Sequence, residues 1–225
     1  MSAMSTLSEY GSTAGTVVSL NVGQPREFRL NGKPHTSAIW KYPVSGRLSV
    51  RGVNLDGDDQ ADREVHGGAD KAVYAYAIED YAWWGRELGR SPEPGAFGDN
   101  LTVSGVDVND AVVGERWRVG STLLEVTQPR LPCFKLGVRM GDPAFPKRFS
   151  GAARWGAYLA IVDEGTVEAG DPVEVVDRPG HAVSVALIAH VYYHDHARAD
   201  ELMQAPSLPD GWRSWAERRL RGSQR

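Results

Sequence analysis

Turn residues punctuate most of this chain so closely that long helices have little room. Its 25 glycines separate short runs rich in β-branched and aromatic residues, the pattern of a barrel or sandwich of antiparallel strands. Strands are predicted at Gly15–Val22, Glu27–Leu30, Lys71–Tyr76, Glu115–Val119, Thr122–Thr127, Tyr158–Val162 and Pro172–Val176. Arg116–Val119 and Leu123–Val126 flank Gly120-Ser121, which predicts a hairpin closed by a primed turn. A helix fits Glu79–Leu88, with Trp83, Trp84 and Leu88 on its apolar side. A second helix is expected after Cys133, and a third between Pro143 and Arg154.

The texture changes after Asp177-Arg178-Pro179-Gly180. Val183–Tyr193, His196–Gln204 and Trp212–Arg221 read as short helices interrupted by Pro206 and Pro209. Leu187, Ile188 and Val191 suit the buried side of the first, and Trp212, Trp215 and Leu220 that of the last. The expected organisation is a flexible lead-in over 1–14, a mainly β barrel over 15–180 and a three-helix appendage over 181–225.

Length and charge narrow the functional classes. At 225 residues the chain can enclose one substantial core with a small appendage. A net charge of −4 and a pI near 5.9 lack the basic excess of a general nucleic-acid or anionic-membrane binder. No apolar run approaches the roughly 20 residues of a membrane-spanning helix. Met1–Ser12 is polar and unlike a secretory signal. One cysteine suits a reducing compartment, so the cytoplasm is the expected location.

That cysteine, Cys133, lies in Gln128-Pro129-Arg130-Leu131-Pro132-Cys133-Phe134-Lys135-Leu136. A single thiol forms no internal disulfide and cannot build a cluster or a cysteine-rich zinc site. It can be a nucleophile, a lone soft metal ligand, or simply a small buried side chain. Arg130 and Lys135 flank it, and cations favour the thiolate. Arg130 can hold a phosphate through two parallel hydrogen bonds, or pair with a carboxylate. His66-Gly67-Gly68 followed by Lys71 can form a backbone anion nest with a cation beside it, or a Gly-Gly turn with a surface lysine. Gly95-Ala96-Phe97-Gly98-Asp99-Asn100 is a tight turn, in which the Asn100 amide offers both donor and acceptor to a polar ring.

Three features are set aside. The acidic run Asp56–Asp62 lacks the spacing and closing glutamate of a calcium loop. His190 and His194 are four apart on an expected helix but lack the zinc-protease pattern. Trp212–Arg221 mixes aromatics with cations, which is better explained by inward tryptophans and arginines at the helix C-terminus.

Taken together, Gly57-Asp58-x-Gln60, His66-Gly67-Gly68-x-x-Lys71-Ala72-Val73, Phe97-Gly98-Asp99-Asn100-Leu101 and Gln128-Pro129-Arg130-x-Pro132-Cys133-Phe134-Lys135-Leu136 resemble the MOSC domain, named for the C-terminal part of molybdenum cofactor sulfurases. The resemblance covers roughly residues 15–176. The helical tail resembles that of the bacterial 6-N-hydroxylaminopurine resistance subgroup, which often has Glu where Asp99 stands. The resemblance implies a β-barrel binding the molybdenum cofactor, a molybdopterin with a phosphate, and reduction of hydroxylaminopurines and amidoximes. It further implies Cys133 as metal ligand, and His66, Gly67, Gly68, Lys71, Asn100, Arg130 and Lys135 around the cofactor, with His66 also a proton donor. No dinucleotide fingerprint or cysteine set is present, so an external flavin or iron–sulfur reductase is expected as partner. The alternatives are a cofactor or sulfur carrier without turnover, and a Cys133–His66 hydrolase or transferase. The tail leaves open reductase docking, closure of the site and homodimerisation.

Overall fold

The structure, a computed structural model, describes residues 14–61 and 67–222. Its strands run in chain order as β1 (Ala14–Val22), β2 (Arg26–Leu30), β3 (Lys33–Ser37), β4 (Tyr42–Val44), β5 (Leu48–Arg51), β6 (Asn54–Leu55), β7 (Val73–Ala77), β8 (Leu101–Ser104), β9 (Arg116–Val119), β10 (Thr122–Pro129), β11 (Ala157–Asp163), β12 (Gly165–Val167) and β13 (Pro172–Asp177). The helices are α1 (Ile78–Leu88), α2 (Phe134–Met140), α3 (Phe145–Ala152), α4 (Val185–Tyr193) and α5 (Asp210–Gly222). Every strand expected from sequence is present. In the range expected over Lys71–Tyr76, Lys71 and Ala72 fall outside the strand, because Lys71 ends a 3-10 turn (Ala69–Lys71), Ala72 caps it and the strand begins at Val73.

β1, β8, β7, β11, β10, β9 and β13 pair in that order, and β13 returns to β1, closing a seven-stranded barrel. Closure removes the open edges that an eight- or nine-residue strand would otherwise present. β1 makes it possible by dividing its length. Its start pairs with β13, its middle with β8 and its end with β4. A register shift between Val17 and Ser19 bends it between partners. All barrel pairs are antiparallel except β7 and β8, which are parallel. A parallel pair needs a crossover, and α1 supplies it. The β9–β10 hairpin turns through Gly120-Ser121 as the sequence predicts, with Gly120 at φ 57°.

β7 is buried along its whole length because both of its faces are covered. Val73 and Ala75 face one way. Tyr74 and Tyr76 face the other, and Tyr76 meets an aromatic cluster of Tyr81, Trp84, Phe97 and Phe149. The Tyr74 and Tyr76 hydroxyls donate to the carbonyls of Trp155 (2.8 Å) and Arg154 (3.0 Å), so these buried phenols leave no unmet polar group. α1 buries Asp80, Tyr81 and Trp84, with Trp83 and Leu88 only partly buried. Asp80 is buried because Arg154 pairs with it and Asn109 Nδ2 donates to it at 2.9 Å.

The C-terminal segment encloses a second core of Val113, Val183, Ile188, Val191, Ala199, Leu202, Ala205, Leu208, Trp212 and Ala216. α4 joins the two cores, since Val185 and Ala189 pack into the barrel cluster. Ser184 caps α4 by accepting from Leu187 N at 3.2 Å. The middle helical segment expected over His196–Gln204 consists of two 3-10 turns, His196–Arg198 and Glu201–Gln204. Among the described residues no helix is long and apolar enough to cross a membrane.

Candidate functional site

Four motifs converge because each lies where a strand begins or ends. Arg130 directly follows β10, and Cys133 closes the short link from there into α2. Lys135 lies in the first turn of α2, Asn100 immediately precedes β8, and Lys71 ends the turn before β7. Cys133, Arg130, Lys135, Asn100 and Lys71 line one cavity of about 90 Å³, together with Lys41, Asp58, Gln60, Tyr74 and Tyr158. Cys133 is half-buried and holds the N-cap position of α2 with extended backbone, its carbonyl accepting from Leu136 N at 3.0 Å.

Arg130 is buried, and its Nη1 donates to the carbonyl of Phe97 at 2.7 Å. Its guanidinium carbon sits 5.3 Å from the Tyr74 ring centroid. Burial alone would lower its pKa, but Tyr158, Tyr74, Cys133 and Asp99 outweigh that and hold it above the ordinary arginine value. Burial pushes the Tyr158 phenol up, Arg130 pulls it back and Cys133 adds to the rise. The thiol, the guanidinium and the phenol are therefore one electrostatic group.

Lys41 is the residue that sequence reading missed. It is buried and ion-paired with Asp58. Burial pulls its ammonium below the ordinary lysine value against the opposing pull of Asp58 and Asp99. Asp58 also accepts from Gly23 N (2.8 Å) and Asn100 Nδ2 (2.9 Å), which ties its carboxylate into the protein. Four cationic and two carboxylate side chains line the cavity. Its formal balance is positive, as an anion requires.

Asn100 has a structural task as well as a place on the wall. Its Oδ1 accepts from Tyr74 N (3.1 Å), and its Nδ2 donates to Asn21 O (3.3 Å) and to Asp58. Both amide hydrogens are thus committed within the protein. Asp99 beside it is fully buried, accepting from Tyr81 Oη (2.6 Å) and Thr102 Oγ1 (2.7 Å). Burial raises its pKa against the opposing effect of those bonds.

The Gly67-Gly68 segment is organised by Gln60, whose Oε1 accepts from Gly68 N at 2.8 Å. The Gln60 amide also donates to the carbonyls of Val53 (3.0 Å) and Lys71 (3.1 Å). Gly68 adopts φ 92°, ψ 177°, a region essentially restricted to glycine. Gly67 and Gly68 line a second, wider cavity that shares Cys133, Lys71 and Tyr158 with the first. His66 lies outside the described residues.

His190, in the last turn of α4, and His194, at its C-cap, have rings 5.5 Å apart. Among the described residues no group of three or more His, Cys, Asp or Glu could hold a metal. Trp212 is buried and its Nε1 donates to Gln128 Oε1 at 2.9 Å, tying α5 to the barrel.

Comparison with known proteins places this arrangement. The MOSC domain family model matches residues 62–174, and the model of the YiiM-like, 3-alpha helix domain matches residues 183–222. Protein YiiM of Escherichia coli (strain K12) is 34% identical over 198 residues, covering 85% of this chain and 87% of its own. YflK of Bacillus subtilis (strain 168) is 32% identical over 202 residues, covering 88% and 91%. A longer protein of Gibberella moniliformis named reductase is 30% identical over 217 residues, and this match takes in 38% of its length. The crystal structure of YiiM from Geobacillus stearothermophilus superposes with a TM-score of 0.76 at 33% identity, covering 92% of this chain and 99% of that one. With matched motifs, a closed barrel and a matching helical tail, the chain belongs to the MOSC domain family, in the form that carries a YiiM-like three-helix domain.

Proposed function

We propose that this protein is a molybdenum-cofactor-dependent oxidoreductase that reduces N-hydroxylated compounds, hydroxylaminopurines and amidoximes among them, with electrons from a separate flavin or iron–sulfur reductase. The observation that carries the reading is that the chain's one cysteine borders a small cavity lined by Lys41, Lys71, Arg130 and Lys135. MOSC domains are associated in general with the molybdenum cofactor, and one longer relative bears the name reductase.

The donor set fits that group. A dithiolene-bound metal needs only one further soft ligand, and Cys133 is the side chain of that type. A phosphate-bearing pterin needs cations and backbone donors. Arg130, Lys71 and Lys135 would hold its charge, and Gly67 and Gly68 would let backbone approach it closely. Asn100 would act mainly through Asp58 and Tyr74, whose positions it sets. When bound, the cofactor supplies a redox-active metal that passes two electrons to the N–O bond.

Reducing an N-hydroxyl to an amine and water consumes two electrons and two protons. The electrons come from the partner reductase. His66 would deliver a proton, as an imidazole titrating near neutrality can. Tyr158 would stay a neutral phenol beside the thiol, since burial holds it above its usual range.

The test is metal and pterin content of protein from a molybdenum-replete host, wild type beside Cys133→Ala. Near-stoichiometric molybdenum and pterin, with the metal lost in the variant, is the expected result. Absence of both from folded wild type after reconstitution would refute the reading, as would full metal and activity in Cys133→Ser.

A further inference from the structure

The wider cavity has a volume of about 600 Å³, within the range of about 300–1,000 Å³ typical of small-molecule sites. It is built by both parts of the chain. Cys133, Lys71 and Tyr158 come from the barrel, while Tyr192 on α4 and Trp212 and Trp215 on α5 come from the helical domain. Its barrel side, with Gly67, Gly68, Lys71 and Cys133, is the part that the proposed cofactor would border, so a substrate would enter on the side walled by Tyr192, Trp212 and Trp215 and reach Cys133 from the helices.

The aromatic wall is rigid. Trp212 and Trp215 are three apart on α5 and therefore share a face. Their rings lie 5.9 Å apart at 76°, and both meet Tyr192, at 5.4 Å and 5.5 Å. The bond to Gln128 fixes Trp212, and His196 and Arg219 pack on Trp215. Trp212 and Ala216 are buried in the helical core, whereas Trp215 is only half-buried and borders the cavity. Large, flat, pre-ordered rings bind other flat rings without further loss of side-chain freedom.

We infer that the helical domain is the specificity wall of the site, with Trp215 stacking on planar aromatic or heteroaromatic substrates whose N-hydroxyl group points toward Cys133, and Trp212 holding it in place through Gln128. This assignment rests on the reductase reading. It makes the α5 face a selector of flat substrates over aliphatic ones bearing the same reducible group.

The test compares benzamidoxime with acetamidoxime, using cofactor-loaded enzyme with a reductase. In Trp215→Ala the ratio of kcat/KM for the aromatic over the aliphatic substrate should fall about tenfold or more, chiefly through KM, as loss of one aromatic stacking contact predicts. Trp215→Phe should restore most of the ratio. An unchanged ratio in a folded Trp215→Ala would overturn the assignment, and so would equal losses for both substrates. A parallel titration of the same preparations with the fluorescent base 2-aminopurine separates this from the redox reading. If neither substrate turns over, saturable quenching by wild type that is lost in Trp215→Ala still upholds the aromatic wall. No saturable quenching would overturn it.

Discussion

Lys41 and Asp58, seventeen residues apart in the chain, form an ion pair beside the inner cavity with side-chain exposures of only 10% and 2%. Breaking a buried pair by removing one partner costs about 3–5 kcal/mol, because a desolvated charge is left behind. Asp58→Ala should therefore destabilise the protein by about that amount in urea unfolding. Asp58→Asn keeps an acceptor for Gly23 N and should cost less. Equal stability of Asp58→Ala and wild type would show that the pair contributes nothing net.

Gly68 gives a second expectation. Its φ of 92° with ψ 177° is disfavoured for any residue with a Cβ, and forcing one there costs about 1–3 kcal/mol. Gly68→Ala should lower stability by that order or release Gly68 N from Gln60. Amide exchange at residue 68 and urea unfolding together distinguish these outcomes. Unchanged stability with unchanged protection would remove the conformational argument.

The motifs legible in sequence share a physical property. Each is a short turn or link with a local reason to be unusual, such as Gly68 beside Gln60, Asp99-Asn100 before β8, or Arg130 through Lys135 after β10. Barrel closure then brings strand ends together, so residues read separately meet at one cavity. Lys41 carried no such signal. It sits in Ile39-Trp40-Lys41-Tyr42, where nothing marks a lysine as buried until Asp58 is known to face it. Strand β8 was hidden for another reason. Leu101–Ser104 is only four residues long and follows the turn that drew attention. On α1 the apolar side read from Trp83, Trp84 and Leu88 does meet the core, but neighbours on a helix point about 100° apart, so Trp84 is buried with Tyr81 and Asp80 while Trp83 and Leu88 are only partly buried. The role of Gln128 needed tertiary structure, because its partner Trp212 is 84 residues away.

Arg130 separates charge from geometry. Arg130→Lys retains a cation near Asp99 and Cys133 but loses the planar fork and the bond to Phe97 O. A hydrogen bond involving a charged group is worth about 1.5–3 kcal/mol, which corresponds to a loss of about tenfold or more in affinity for an anionic ligand. Pterin retained after gel filtration should fall accordingly, and the carbonyl of Phe97, left without its buried donor, should lower the unfolding midpoint as well. Undiminished pterin in the variant would exclude Arg130 from cofactor binding.

Asp99 makes stability depend on pH in a defined direction. Burial raises its folded-state pKa above the usual carboxylate range, against the bonds from Thr102 and Tyr81. Between the unfolded and the folded value, the folded protein therefore holds a proton that the unfolded chain has lost. The stabilisation from this proton is fully present below the unfolded pKa and is lost as pH rises through the folded one. Asn cannot titrate, so Asp99→Asn removes this dependence while keeping most of the shape beside Tyr81 and Thr102. The stability of wild type relative to Asp99→Asn should thus decline from acid toward neutral pH, read from paired urea titrations at each pH. A difference that stays constant would mean that folding does not shift Asp99, and one that grows with pH would mean that its carboxylate is held ionised in the fold; either would overturn the expectation.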